Sequence, residues 1–255
     1  MVDVFQPPTP EAVRPGVVHR LRFGTRPTRV SEPWTGPCFA VDDSAGALVA
    51  ATPSAAPDLW SRYVDGAVRT YERHGVSIAI DMDELASGAT TTLFFVALDH
   101  DGRMLGGLRA QGPYTHVEQS HALVEWEHSD GLELVQNEIR ARLPHGVVEM
   151  KTAWVDDDAP SKVVSSQLAR VALPTMNITG ARFLLATAAD HVLRQWQSSG
   201  GRISESIPPA AYPTDKYRTR LMWWDHDTVA EDARPDVWDK MLAESADMQI
   251  SRRVA

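Results

Sequence analysis

Residues 94–114, FFVALDHDGRMLGGLRAQGPY, and residues 147–158, VVEMKTAWVDDD, decide the fold. In the first stretch an apolar run meets Asp99-His100-Asp101-Gly102, which reads as a tight hairpin turn. The chain returns through residues 103–109 and ends at Arg109, shortly before Gly112-Pro113. The second stretch is a strand over 147–155, carrying Glu149, Lys151 and Thr152 among apolar neighbours. Alternation on a strand sends Lys151 and Thr152 to opposite faces.

Outward from these blocks, helical and strand-like segments alternate. Residues 58–74 place Leu59, Trp60, Tyr63, Val64, Ala67, Val68 and Tyr71 at helical spacing, with Gly75 as the stop. Residues 76–80 are followed by a polar stretch over 81–91. Helices are expected over 133–143, closed by Pro144 and Gly146, over 161–173, closed by Pro174, and over 188–199, closed by Gly200-Gly201. Strands are expected at 182–187, 202–207 and 219–224, and a helix near 237–244. Residues 115–146 are polar and show little periodicity before the helix at 133. Upstream, the chain is rich in Pro, Thr, Ala and Ser, with strand-like pieces at 17–23 and 38–41. The organisation expected is a Pro-rich N-terminal extension over 1–55, one domain over 56–225, and an acidic, partly helical C-terminal tail over 226–255. The fold class is α/β, a mixed, mostly antiparallel central sheet flanked by helices.

Composition narrows the function. The 255 residues carry a formal net charge of -9, with 43% hydrophobic and 23% charged residues. Nucleic-acid binding needs clustered Lys and Arg, so an acidic chain points away from it. No apolar run reaches about 18 residues, so no membrane span is expected. The beginning, MVDVFQPPTPEAVRPG, has no apolar core of a secretory signal, and the expected location is cytoplasmic. The single cysteine, Cys38, excludes an internal disulfide and reads as a free thiol. None of the nine histidines forms a His-x-x-x-His or His-Glu-x-x-His pattern, and His116 and His121 lie five apart, so no metal site is expected. No Gly-x-Ser-x-Gly elbow is present, which points away from a serine hydrolase.

Residues 182–203, RFLLATAADHVLRQWQSSGGRI, resemble the fifth strand, following helix and sixth strand of the Gcn5-related N-acetyltransferase superfamily. Within it, the closer resemblance is to acyl-homoserine-lactone synthases and long-chain N-acyl amino acid synthases. Residues 80–102, IDMDELASGATTTLFFVALDHDG, look like their acidic loop leading into the first hairpin strand. Residues 105–114, LGGLRAQGPY, look like their Gly-x-x-Arg strand, and residues 147–157, VVEMKTAWVDD, like their catalytic strand. The resemblance spans roughly residues 58–207 and implies acyl transfer from a thioester donor, an acyl carrier protein or acyl-CoA, to an amine of a small molecule. These donors are co-substrates, so no tightly bound cofactor is implied.

The resemblance also distributes roles. Glu149 is the candidate base and the backbone near Thr152 to Trp154 the candidate oxyanion donor. Arg69, Arg73, Asp81 and Asp83 match the positions that organise the synthases' substrate site. Arg109 would hold a substrate carboxylate or pair with Asp81 or Asp83. Lys151 and Trp154 complete the substrate-binding set, and Tyr217, Arg218 and Trp223 are candidates for the acyl chain or its donor. Two departures matter. Thr152 stands where the synthases carry Arg, which disfavours lactone formation. DDDAPSK, residues 156–162, stands where acetyl-CoA enzymes carry a Gly-rich pyrophosphate loop, and three carboxylates there disfavour acetyl-CoA. The alternatives are a catalytically silent acyltransferase-like domain that binds a ligand or partner, and an interaction protein that docks through its Pro-rich N-terminal segment.

Overall fold

The computed structural model describes residues 38–42 and 46–254. The strand-like piece at 17–23 and the Cys38 side chain lie outside what is described. The two deciding stretches form neighbouring strands. β3 (Thr91–Leu98) and β4 (Met104–Gln111) make the hairpin, and β5 (Val147–Val155) pairs antiparallel with β4. Asp99 closes the hairpin turn by accepting from the backbone N–H groups of Asp101 and Arg103 at 3.0 and 2.8 Å.

The sheet extends in both directions. β1 (Cys38–Asp42) and β2 (Gly46–Ala51) add antiparallel strands beside β3, so the sheet begins inside the segment expected as an extension. On the other side, β6 (Phe183–Ala189) runs parallel to β5, and β8 (Thr219–Asp225) and β7 (Arg202–Ile203) follow antiparallel. The order is β1-β2-β3-β4-β5-β6-β8-β7, a single parallel pair within an otherwise antiparallel sheet.

Both faces are covered. One face carries Leu93, Phe95, Leu108, Val148, Met150, Leu184 and Trp224. It is closed by α5 (Ser161–Ala169), α6 (Ala172–Thr179), α7 (Leu193–Ser198) and α9 (Pro235–Val254). The opposite face is divided. Around β3, Phe94, Val96 and Trp154 pack under α1 (Pro57–Arg73) and α2 (Met82–Ser87). Around β6 and β8, Val147, Leu185, Leu221 and Trp223 pack under α3 (Ala122–Glu125) and α4 (Leu132–Arg142). A polar seam on β4 and β5 separates these two apolar clusters.

Several element boundaries differ from expectation. Residues 77–79 form a 3-10 turn, with Ile78 exposed. The helix over 161–173 is two helices. Pro174 lacks an N–H and occupies the first turn of α6, where that hydrogen is not needed, so it opens a helix instead of ending one. The strand at 182–187 runs on to Ala189, because Leu184, Ala186 and Ala188 alternate into the core. The helix expected from 188 accordingly starts at Leu193. The expected strand at 202–207 is reduced to two residues, and the helix near 237–244 grows to 20 residues.

Candidate functional site

β5 is deformed at its centre. Gly107 pairs with Trp154 and Arg109 with Lys151, so two steps on β4 match three on β5. The extra residue is a β-bulge, and Thr152 there has φ 51°, the left-handed region a β-branched residue rarely enters. α1 holds the bulge from above. Tyr63 Oη donates to the Thr152 carbonyl at 2.8 Å and Tyr71 Oη to the Ala153 carbonyl at 3.4 Å. Two glycines permit this approach. A Cβ on Gly66 would lie 2.2 Å from the Trp154 ring, and one on Gly107 would lie 2.8 Å from the Tyr63 ring.

Just before the bulge, β5 and β6 stop pairing. Their parallel pairing covers only Val147–Phe183 to Met150–Ala186, although both strands continue. The ladder is open from there on, and Lys151 and Thr152 on β5 and Thr187 on β6 are the first residues beyond it. The bulge also removes the simple alternation expected of the strand. The Thr152 hydroxyl accepts from Arg109 Nε at 3.2 Å, and Arg109 is the cross-strand partner of Lys151, so Thr152 does not oppose Lys151.

The seam below this opening is a chain of polar contacts. Arg109, 1% exposed, donates to Glu84 Oε2 at 2.9 Å and to Thr91 Oγ1 at 3.2 Å. Its acidic partner is Glu84, not Asp81 or Asp83. Asp81 is instead the N-cap of α2, accepting from the Glu84 backbone N–H at 2.9 Å. Burial alone would raise the Glu84 carboxyl, but hydrogen bonds from Arg109 and Thr90 and the Arg109 charge outweigh it and hold it down at about 2. Gln111 also donates to Glu84 and, at 2.6 Å, to Thr90 Oγ1.

Glu149 is 1% exposed and receives three hydrogen bonds. Tyr114 Oη donates to Oε2 at 2.8 Å, the His121 backbone N–H to Oε2 at 3.0 Å, and the Ala122 N–H to Oε1 at 3.2 Å. Its carboxylate therefore ties the start of α3 to β5. Beside it lies Glu125, in the stretch that showed no readable pattern. Glu125 Oε1 accepts from Thr187 Oγ1 at 2.9 Å, and Oε2 is buried without a partner among the described residues. Burial and then the neighbouring Glu149 charge push Glu125 up to about 8. Burial lowers Lys151 from the usual lysine range, ahead of the opposing pull of Glu149. His121, at 3.9 Å from Glu125 Oε1 and 3.1 Å from Tyr212 Oη, is held down at about 4, chiefly by burial and then by Lys151.

The other expected residues are dispersed. Arg73 pairs with Asp157. Arg69 lines a cleft of about 220 Å³ with Arg62, Asp65, Arg103, Met104, Trp154 and Asp156. Asp83 is exposed. Trp154 is buried under α1 and packs beside Tyr63. Trp223 belongs to the cluster under α4, where its ring N–H donates to Glu138 at 2.8 Å. Arg218 pairs with Asp190 at 3.3 Å. Tyr217 lines a cleft of about 440 Å³ between the end of α1, at His74 to Val76, and Thr214 to Lys216. The acids after β5 are not an open negative field, because Arg103 meets Asp156 at 2.8 Å and Arg73 meets Asp157. The residues absent from the expected site are Glu84, Gln111, Tyr114, His121, Glu125 and Thr187. Glu84, Gln111, Tyr114 and Thr187 stood within quoted blocks, whereas His121 and Glu125 lie in the stretch without a readable period.

A mixed sheet with a bulged central strand, splayed from its one parallel neighbour, is the fold of the Gcn5-related N-acetyltransferases. A CoA-dependent acyl-homoserine lactone synthase, MesI, superposes with a TM-score of 0.50 at 14% identity, covering 77% of this chain and 94% of that one. FeeM, an N-acyl amino acid synthase from uncultured soil microbes, gives 0.49 at 14% identity over 72% and 99%. No family model matches the chain. In sequence it is 44% identical over 206 residues to uncharacterized proteins of Mycobacterium tuberculosis and Mycobacterium bovis, covering 80% of this chain and 78% of each relative. The chain belongs to the family those mycobacterial proteins form.

Proposed function

We propose that the protein is an N-acyltransferase that moves an acyl group from a thioester, carried by CoA or an acyl carrier protein, to the amine of a small molecule. The observation that carries the reading is the opening of β5 from β6 directly over a buried seam of ionisable groups. A thioester arm lying in such an opening presents its carbonyl to the bulged strand, and an acceptor approaches from the α1–α3 side. The C–N bond forms as the C–S bond breaks. The acceptor, arriving as an ammonium, gives one proton to a base and a second to the departing thiolate, which leaves the amide N–H in place.

Arg109, Glu84, Gln111 and Tyr114 support this site by fixing the seam, and Glu149 by holding α3 against β5. Lys151 and Thr152 stand nearest the carbonyl position. Arg69, Arg73, Asp81 and Asp83 contribute at the rim, where α1 and α2 border the opening, with Trp154 supporting α1 beneath. The cleft at Tyr217 is the proposed entry for the acyl chain or its donor, with Arg218 next in the chain and Trp223 in the cluster under α4. The ion-paired acids after β5 offer a pyrophosphate no glycine cradle, which favours longer acyl donors, bound by the arm and chain, over acetyl-CoA.

The test is incubation with acyl-CoA and acyl-carrier donors and a panel of amines, read by mass spectrometry. An N-acyl product is expected. Absence of product with every donor, together with an unchanged melting temperature, overturns the reading and leaves the silent ligand-binding domain.

A further inference from the structure

We infer that Glu125, not Glu149, is the group that takes the proton from the acceptor amine. The inference rests on the acyl-transfer reading and names the base within it. Geometry separates the two carboxylates. Glu149 spends both oxygens on three donors inside the protein, and two of those are backbone N–H groups that no substrate can displace without unwinding α3. Glu125 spends one oxygen on Thr187, the first residue of β6 beyond the paired region, and keeps Oε2 buried and without a partner among the described residues. A buried acceptor atom without a donor is costly, on the order of 1–3 kcal/mol, and an ammonium or amine arriving from the opening supplies the donor.

The surroundings suit the exchange. The groups facing Glu125 are Tyr71 from α1, Glu149 and Lys151 from β5, His121 at the start of its own helix, and Tyr212 from the segment before β8. Glu149 makes a second negative charge costly, so the proton is accepted readily. His121 stays neutral at working pH and adds no cation to oppose that effect. As its carbonyl is attacked, the thioester loses its thiol. The ammonium loses one proton to Glu125 before attack and a second to the departing sulfur. Glu125 then releases its proton to solvent, so every proton is accounted for.

The experiment combines a titration that needs no turnover with a pH–rate profile. In protein labelled with ¹³C at the glutamate carboxyls, one carboxyl titrates near pH 8, and Glu125→Gln alone removes it. In wild type, kcat/KM rises with pH through the same midpoint, and Glu125→Gln loses about a hundredfold and that limb. Thr187→Val, which removes a donor to the ionised form, moves both midpoints upward while the protein stays folded. A carboxyl near pH 8 that survives Glu125→Gln, or a limb that survives it, overturns the assignment while product formation upholds acyl transfer. Absence of product in wild type overturns acyl transfer itself, and the role with it.

Discussion

At the scale of single residues, burial and hydrogen-bond supply decide what each carboxyl does. Glu125 has a raised pKa, so folding favours its protonated form. Its contribution is fully present below the ordinary glutamate range and is lost as pH rises through about 8. Melting curves of wild type and Glu125→Gln should therefore run parallel near pH 5 and diverge toward pH 9, with wild type losing more. Glu84 works the other way: its lowered pKa contributes above the ordinary value and is lost as pH falls toward about 2. Thr152 is the strained residue. Thr152→Gly should be more stable than Thr152→Val by about 1–2 kcal/mol in urea unfolding, because both lose the Arg109 contact and only glycine accepts φ 51° freely. The sequence displayed Glu149 because it sits on a strand with clear neighbours. It hid Glu125, which lies on a four-residue helix too short to show a period. It misplaced the partner of Arg109 because Asp81 is consumed as a helix cap, and only Glu84 turns inward.

At the scale of elements, α1 and β5 behave as one unit. Gly66→Ala gains helix propensity worth about 1 kcal/mol, yet its methyl would enter the buried Trp154 ring. Steric overlap wins: overpacking costs about 1–3 kcal/mol, and a shifted α1 would draw Tyr63 and Tyr71 off the bulge. Lower stability in urea together with reduced turnover is the expected pair of results; an unchanged protein would show that α1 is not fitted to the bulge. The hairpin, β5 and α1 were legible because each has a strong period and a clear stop. The split between α5 and α6 was not, since one proline reads equally as an end or a beginning. The bulge was invisible because it depends on the register of β4 against β5, which neither strand encodes alone.

At the scale of the whole molecule, the two ends of the described chain reinforce the sheet. β1 and β2 lengthen it on one edge, and α9 packs against β1 and α6. Glu244 on α9 receives the Arg170 guanidinium at 2.5–2.9 Å, with both side chains buried. Removing one partner of a buried pair costs about 3–5 kcal/mol, so Glu244→Ala should lower the melting temperature by several degrees without moving the pH–rate limb. A shift in that limb would mean that α9 couples to the seam. The alternation of helix and strand segments, with the hairpin, forecast an α/β protein with a mostly antiparallel sheet. It did not reveal how far the sheet reaches, because residues 46–51, GALVAA, are mostly small and lie within the segment whose prolines made it read as an extension.

The bulge at Thr152 acts on the strand as a frameshift acts on a message. Upstream of it, odd-numbered residues face α3; downstream, Trp154 faces α1 although its number is even. Flattening the bulge without shortening the strand would send the Trp154 ring through the sheet to the side of α5, whereas deleting Ala153 would remove the bulge and leave the ring opposite Gly107, still facing α1. The bulge therefore absorbs one extra residue of β5 and keeps both halves of that strand turned to the same helix layer.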